Sequence, residues 1–314
     1  MFVDSAGDSL GSLEGFITCS DAAVWSRHSF RMSVIGMTYE AEISRVNPSC
    51  IVFLLDQSGS MADPFGGGDA ALRKADGASD AINKLLSNLV TKCSKDEGVR
   101  DYYYVSVIGY GGGVAPRLGG ALSGREIVSI SELANSPLRV EDRRRKVQDG
   151  AGGLVDENVK FPVWFDPVAD NGTPMCEALR FAKKLLQPWV AEHSSCFPPL
   201  VINITDGEAT DGDPSGPADE VRAIASSDGN VLVFSVHLSS QHAAPVVFPD
   251  NDALPDQFAR SLFHISSPLP PHIVAAAKQE GINVSDGSRG FVFNAGMVEL
   301  INFLDIGTRP TSLR

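Results

Sequence analysis

Cysteine is scarce and scattered. Cys19, Cys50, Cys93, Cys176 and Cys196 show no CxxC or CxH spacing, so neither a zinc knuckle nor a disulfide framework is indicated, and the odd set reads as reduced thiols. Basic residues are short as well: 26 Lys and Arg against 39 Asp and Glu leave a net charge of -13 and a pI near 4.9. Phosphate-backbone binding rests on clustered cations, which argues against a general nucleic-acid binder, and the same deficit disfavours an anionic membrane surface. No apolar run approaches the ~20 residues of a membrane span. The opening "MFVDSAGDSL" has early acids and no basic n-region, unlike a secretion signal. The expected location is cytoplasmic, with neither nucleic acid nor membrane as a partner.

What is present suits a globular chain. Of 314 residues, 43% are hydrophobic and 21% charged, enough for a substantial core without covalent staples. Residues 1–36 are rich in Gly and Ser without sustained periodicity and read as a poorly ordered extension. "MTYEAEISR" from Met37 alternates like a strand. "CIVFLL" (50–55), "YYYVSVIGY" (102–110), "PLVINIT" (199–205), "NVLVFSVHL" (230–238) and "GFVFNA" (290–295) read as strands. Continuous apolar runs of this length suit strands buried on both faces. Helical spacing predicts Ala71 to Val90, Pro174 to about Leu186, about 216–227, and three more in "DQFARSLF", "HIVAAAKQEG" and "VELINFLDIG". This alternation predicts an α/β fold: a Rossmann-like, doubly wound, mostly parallel sheet with helices on both faces. The expected organisation is one domain over 37–309, with a long irregular insert at about 111–172 and a short tail over 310–314.

The stretch "SCIVFLLDQSGSMADPFGGG" (49–68) ends a buried run in an acid and two alternate serines. Ligands of open α/β sheets sit beyond the carboxyl ends of the strands, at the topological switch point. Asp56 stands at one such end and Asp206, in "VINITDGEATDGD", at another. Ser58 and Ser60 continue the first loop, and Thr173 in "DNGTPMCEAL" opens the helix that leads to the Asp206 strand. Two carboxylates and three hydroxyls are hard oxygen donors, suited to Mg²⁺, or to Mn²⁺ in its place, far better than to zinc.

Asp56-x-Ser58-x-Ser60, the distant Thr173 and Asp206 in T-D-G resemble, in order and flanking sequence, the metal-ion-dependent adhesion site of von Willebrand factor A domains. The resemblance covers roughly Asn47 to Leu304. It implies that Ser58, Ser60 and Thr173 offer hydroxyls to the ion. Asp56 and Asp206 would act partly through waters, and a partner protein would supply an Asp or Glu to the open position. The whole sequence looks most like the free-standing bacterial intracellular type. Some intracellular members accompany kinases, phosphatases or AAA+ ATPases, a link that rests on analogy alone.

Plainer readings stand beside these. "DQSGS" could be a turn, Thr173-Pro174 an N-cap with Pro at N1, and "TDGEATDGDPSG" a solvated loop, with Asp211 and Asp213 at the surface. "EDRRRKVQD" (141–149) reads as a solvated helix end or loop rather than a docking patch. Trp164 and Phe165 fit the core, or the apolar part of a partner surface if exposed. His237 and His242 are not spaced as a zinc pair, and a helix N-terminus near Cys176 could lower its thiol pKa. The alternative function is a haloacid-dehalogenase-like, Mg²⁺-dependent phosphatase with Asp56 as nucleophile, although Ser58 stands where that chemistry needs a second acid. A serine hydrolase lacks the G-x-S-x-G elbow. A scaffold with a vestigial site is the third class. The expected protein is not an enzyme.

Overall fold

The computed structural model describes residues 39–65, 72–148, 154–238 and 244–308. The extension over 1–36, the tail over 310–314 and His242 lie outside the described residues.

The strands run β1 (Ser49–Asp56), β2 (Tyr103–Tyr110), β3 (Val114–Pro116), β4 (Val128–Ser129), β5 (Arg139–Gln148), β6 (Leu154–Val163), β7 (Leu200–Thr205), β8 (Leu232–Leu238), β9 (Val246–Val247) and β10 (Phe291–Ala295). The helices are α1 (Lys74–Cys93), α2 (Ile130–Asn135), α3 (Met175–Glu192), α4 (Ser215–Arg222), α5 (Gln257–Ile265), α6 (Pro271–Gln279) and α7 (Met297–Gly307). Four further two-residue strands form two small hairpins at loop corners.

The main sheet has the order β9-β10-β8-β7-β1-β2-β3, with β4 also paired to β2. Its five central strands are parallel, and β3, β4 and β9 add antiparallel edges. All eight residues of β1 are buried. Ile51, Phe53 and Leu55 pack into one apolar layer, while Cys50, Val52 and Leu54 pack into the other. A strand covered on both faces needs apolar side chains at every position, which is why it reads as an unbroken run. Ala75, Ala78, Ile82, Leu85, Leu86 and Leu89 give α1 one apolar face against the first layer, together with α2, α6 and α7. Helices α3, α4 and α5 cover the second. The predicted α/β fold, doubly wound with helices on both faces, is the fold observed.

Chain order fixes where a site can form. From β1 the chain steps to β2 on one side, then returns to lay β7 on the other. The order of strand addition therefore reverses between the parallel strands β1 and β7, whose carboxyl ends carry Asp56 and Asp206.

Three expectations are corrected. Residues 39–47 do not form the strand expected from "MTYEAEISR". The amides of Glu40 and Ala41 each donate to the Asp228 carboxylate at 3.0 Å, so a side chain takes the hydrogen bonds a sheet would have taken. The segment 111–172 is not an irregular insert, because it contains β3, β4, α2 and the β5–β6 hairpin. "EDRRRKVQD" is accordingly strand rather than helix end. Asp142 stands opposite Lys160 and pairs with it at 2.6 Å. Arg143 bridges Asp80 of α1 at 2.9 and 3.0 Å and covers the Phe161 ring at 3.7 Å. Opposite charges across a ribbon stabilise pairing where no apolar alternation advertises it.

Candidate functional site

The carboxyl end of β1 delivers Asp56 into a buried position, 2% exposed. Its Oδ1 accepts the Ser58 amide at 2.8 Å, and its Oδ2 accepts the Thr205 hydroxyl at 2.6 Å. Burial raises the Asp56 pKa above the ordinary carboxylate value. The hydrogen bonds from Thr205 and Ser58 oppose that shift, and the nearby Asp206 charge adds to it. The loop then turns through Gln57. Its amide donates to the Tyr110 carbonyl at 2.8 Å and its carbonyl accepts from Asp170 at 2.5 Å, while the Gly59 amide reaches Asn171 at 3.0 Å. The serine loop is thus tied to β2 and to the segment that leads into Thr173.

The hydroxyls of Ser58 and Ser60 lie 3.0 Å apart, and Ser60 donates to Asp206 Oδ1 at 2.8 Å. Thr173 reaches the same place from the start of α3. A methyl built on Gly207 would lie 3.6 Å from Thr173 Oγ1, 3.9 Å from Asp56 Oδ2 and 3.9 Å from Ser60 Oγ. Three oxygens from two separate segments therefore surround one point beside Gly207, left open because residue 207 has no side chain. Ser58 and Asp206 join through their contacts with Ser60, so all five predicted residues meet at the switch point.

Thr173 is not the expected N-cap. The helix opens at Met175 without a side-chain cap from its own flank. Asp211 takes that role from the β7–α4 loop, accepting the amides of Cys176 and Glu177 at 3.0 and 2.8 Å. Asp211 is exposed, as expected, and is also the cap of α3, so the Thr173 hydroxyl is left to face the cluster. The same loop is latched by Thr210, which donates its amide to the Thr173 carbonyl at 2.9 Å and accepts the Thr173 amide at 3.1 Å. Cys176 is also corrected: burial, with a hydrogen bond and charge from Asp211 next, pushes its thiol up to about 11. Trp164 and Phe165 are 2% and 1% exposed and belong to the core, not to a partner surface. The Trp164 indole donates to the Leu133 carbonyl at 2.7 Å.

One residue of the site escaped sequence reasoning. Lys74, the first residue of α1, donates to Asp206 Oδ2 at 2.7 Å and lies 3.8 Å from Asp63. Its side chain is 6% exposed, and that of Asp206 is 0% exposed. A lysine at the start of a helix carries no pattern that would announce this partner. Thr205 escaped for another reason: its T-D-G position was visible, but its bond to Asp56 needs β1 and β7 side by side.

The donor set is hydroxyl and carboxylate. Among the described residues no group of three or more His, Cys, Asp or Glu is placed to hold a metal. The oxygens around Gly207 therefore fit a hard cation such as Mg²⁺ or Mn²⁺ rather than a thiolate- or imidazole-bound ion. His237 lies in an aromatic stack instead, its ring 4.8 Å from that of Phe293. Both Asp56 oxygens are engaged, and the Ser58 hydroxyl pairs with Ser60 rather than with an imidazole.

No protein-family model matches the sequence, and no curated protein matches it. Among solved structures, the chain is similar to a von Willebrand factor type A from Catenulispora acidiphila, with a TM-score of 0.41 and 13% identity over 83% of this chain and 42% of that one. It is similar to proximal thread matrix protein 1 from the mussel byssus, described with a zinc-occupied MIDAS motif, with a TM-score of 0.41 and 12% identity over 85% and 48%. The ArnB paralog VWA2 from Sulfolobus acidocaldarius matches with a TM-score of 0.31 and 12% identity over 63% and 36%. The chain spans less than half the length of each of these three. Likeness at this level carries no functional inference. Among the described residues no helix is long and apolar enough to cross a membrane.

Proposed function

We propose that the chain is a protein-interaction module of the von Willebrand factor A type, whose adhesion site binds an acidic side chain of a partner protein through Mg²⁺, or Mn²⁺ in its place. The observation that carries this reading is the convergence of Thr173, Asp56 and Ser60 oxygens around the Gly207 position, with Ser58 and Asp206 bound to the same cluster.

Ser58, Ser60 and Thr173 would hold the ion through hydroxyls. Asp56 and Asp206 hold those hydroxyls and the loop in place, as Asp56 already does through the Ser58 amide and Asp206 through Ser60. Bound there, a divalent ion supplies an electrophilic centre that a partner carboxylate can reach. The two acids leave little ligand charge to neutralise it, which favours capture of an external anion. Thr205 anchors Asp56 from the neighbouring strand, so the donors are set by the sheet and not by loop conformation alone. The phosphatase reading lacks support here. Ser58 occupies the place of its second acid, and a hydroxyl cannot serve as that proton donor near neutral pH.

The test is Mn²⁺ titration calorimetry on the full chain and on a Ser58→Ala, Ser60→Ala double variant. The wild type should bind one ion and the variant none, with unchanged circular dichroism. Equal affinity in both proteins would overturn the ligand assignment. An Asp or Glu requirement in the partner is then read by retention in Mg²⁺ and its loss in EDTA, with Asp56→Ala as the site control.

A further inference from the structure

A cavity of about 460 Å³ opens beside the site, between the loop that follows Asp206 and helix α5. Its floor is apolar: Met175 and Leu262 are buried, and Phe258 forms one side. Its rim carries Glu208, Thr210 and Asp213. Thr210 is the residue hydrogen-bonded to Thr173 through both its amide and its hydroxyl. The cavity and the oxygen cluster therefore share a wall, and Glu208 stands two residues beyond Asp206.

The charge at this rim is uncompensated. Glu208 makes no hydrogen bond or ion pair with any described residue, and Asp213 meets no cation among them, accepting from Ser215, whose amide lies at 2.9 Å. Lys74, the cation nearest the cluster, is committed to Asp206 and Asp63. The missing group is a cation with an apolar stem. Lys and Arg combine these, laying their methylenes on apolar surface and presenting a charged head to carboxylates. Alternate side chains of an extended segment are about 7 Å apart, so one short stretch of chain can span two adjoining sites.

We infer that this cavity receives a basic side chain from the same partner segment that presents the acid, so that the ligand is a closely spaced acidic and basic pair and not a lone carboxylate. The inference rests on the adhesion-site reading above. The apolar floor accepts the stem, and Glu208 and Asp213 take the head in charge-assisted hydrogen bonds.

The experiment uses the full chain and a positional library of nine-residue peptides with a fixed central Asp, bound in Mn²⁺ and in EDTA. A matched library with central Asn serves as the control. Arg or Lys should be enriched at one position within two residues of the Asp, by about fivefold over Ala, the scale of a partly exposed charge pair on an apolar floor. A Glu208→Gln, Asp213→Asn variant should lose that enrichment while keeping the Asp and Mn²⁺ requirements and the wild-type melting temperature. Asp-dependent binding with no basic preference overturns the inference and leaves the adhesion site standing. So does a preference for apolar residues, or a basic preference that survives in the variant. Binding that needs neither Asp nor Mn²⁺ overturns the adhesion-site reading, and the inference with it.

Discussion

Lys74 sits where a cation is expected to matter most. Its ammonium holds one Asp206 oxygen while Ser60 holds the other, so Asp206 enters any metal complex already neutralised by the chain itself. Removing one member of a buried pair leaves its partner uncompensated, at a cost of about 3–5 kcal/mol. Lys74→Met should therefore lower the metal-free melting temperature. The same change removes repulsion toward an arriving divalent ion, so Mn²⁺ affinity should rise about tenfold or more. The two effects together form the signature: a weaker protein without metal that gains more from Mn²⁺ than the wild type does. Calorimetric titration and thermal melts with and without Mn²⁺ read both. An unchanged Mn²⁺ affinity would show that Lys74 lies outside the ion's field.

Asn83 of α1 does for the β6 end of the ribbon what Asp56 does for the serine loop. Its amide nitrogen donates to the Phe165 carbonyl at 3.2 Å, and its oxygen accepts the Trp164 amide at 2.8 Å, all of it buried. Asn83→Ala strands two buried backbone groups, which should cost about 2–4 kcal/mol in urea unfolding. Mn²⁺ affinity should stay at its wild-type value, because this anchor is not among the site's oxygens. A loss below about 0.5 kcal/mol would show that water replaces the amide at both groups. The elements that carry the site were legible in the sequence for a physical reason: a strand covered on both faces must be apolar throughout, and a helix on that sheet must be apolar every three or four residues. The β5–β6 ribbon obeys neither constraint. Arg139, Glu141 and Arg143 lie in one partly exposed ion-pair chain with Asp80 and Asp166, so its alternation is in charge and contact, not hydropathy. The clustering of the five candidate residues was readable because strand ends and a loop spacing place them. Lys74 and the Asp211 cap were not, since each depends on a partner distant in sequence.

For the molecule as a whole, acid should weaken the fold through His237. Its ring stacks on Phe293 at 4.8 Å and meets Phe258 edge-on at 5.5 Å, and Nδ1 accepts the Asn294 amide at 3.2 Å, which suits the neutral imidazole. Burial pushes its pKa down to about 4, with Lys74 adding to the fall and Asp206 and Asp256 opposing it. The unfolded chain, with its imidazole near 6.5, takes up the proton first on acidification. This contribution is therefore complete above about pH 6.5 and declines toward pH 4, by about 1.4 kcal/mol per unit. The raised Asp56 carboxyl acts in the opposite sense, so the comparison must be with His237→Gln. Urea unfolding at about pH 7 and about pH 4.5 should show a larger loss in the wild type than in that variant, and equal losses would remove His237 as the cause. The topology also sets a schedule for synthesis. Asp56 and Thr205, bonded in the finished protein, are 149 residues apart in sequence. A nascent chain that has not yet emitted β7 carries the serine loop and Thr173 but neither Thr205 nor Asp206, and closing so long a loop is slow. On the adhesion-site reading, a ribosome-bound fragment ending before Leu200 carries the hydroxyls of Ser58, Ser60 and Thr173 without the Thr205 and Asp206 that hold Asp56 and Ser60 in place, so ion capture should wait until β7 has docked beside β1.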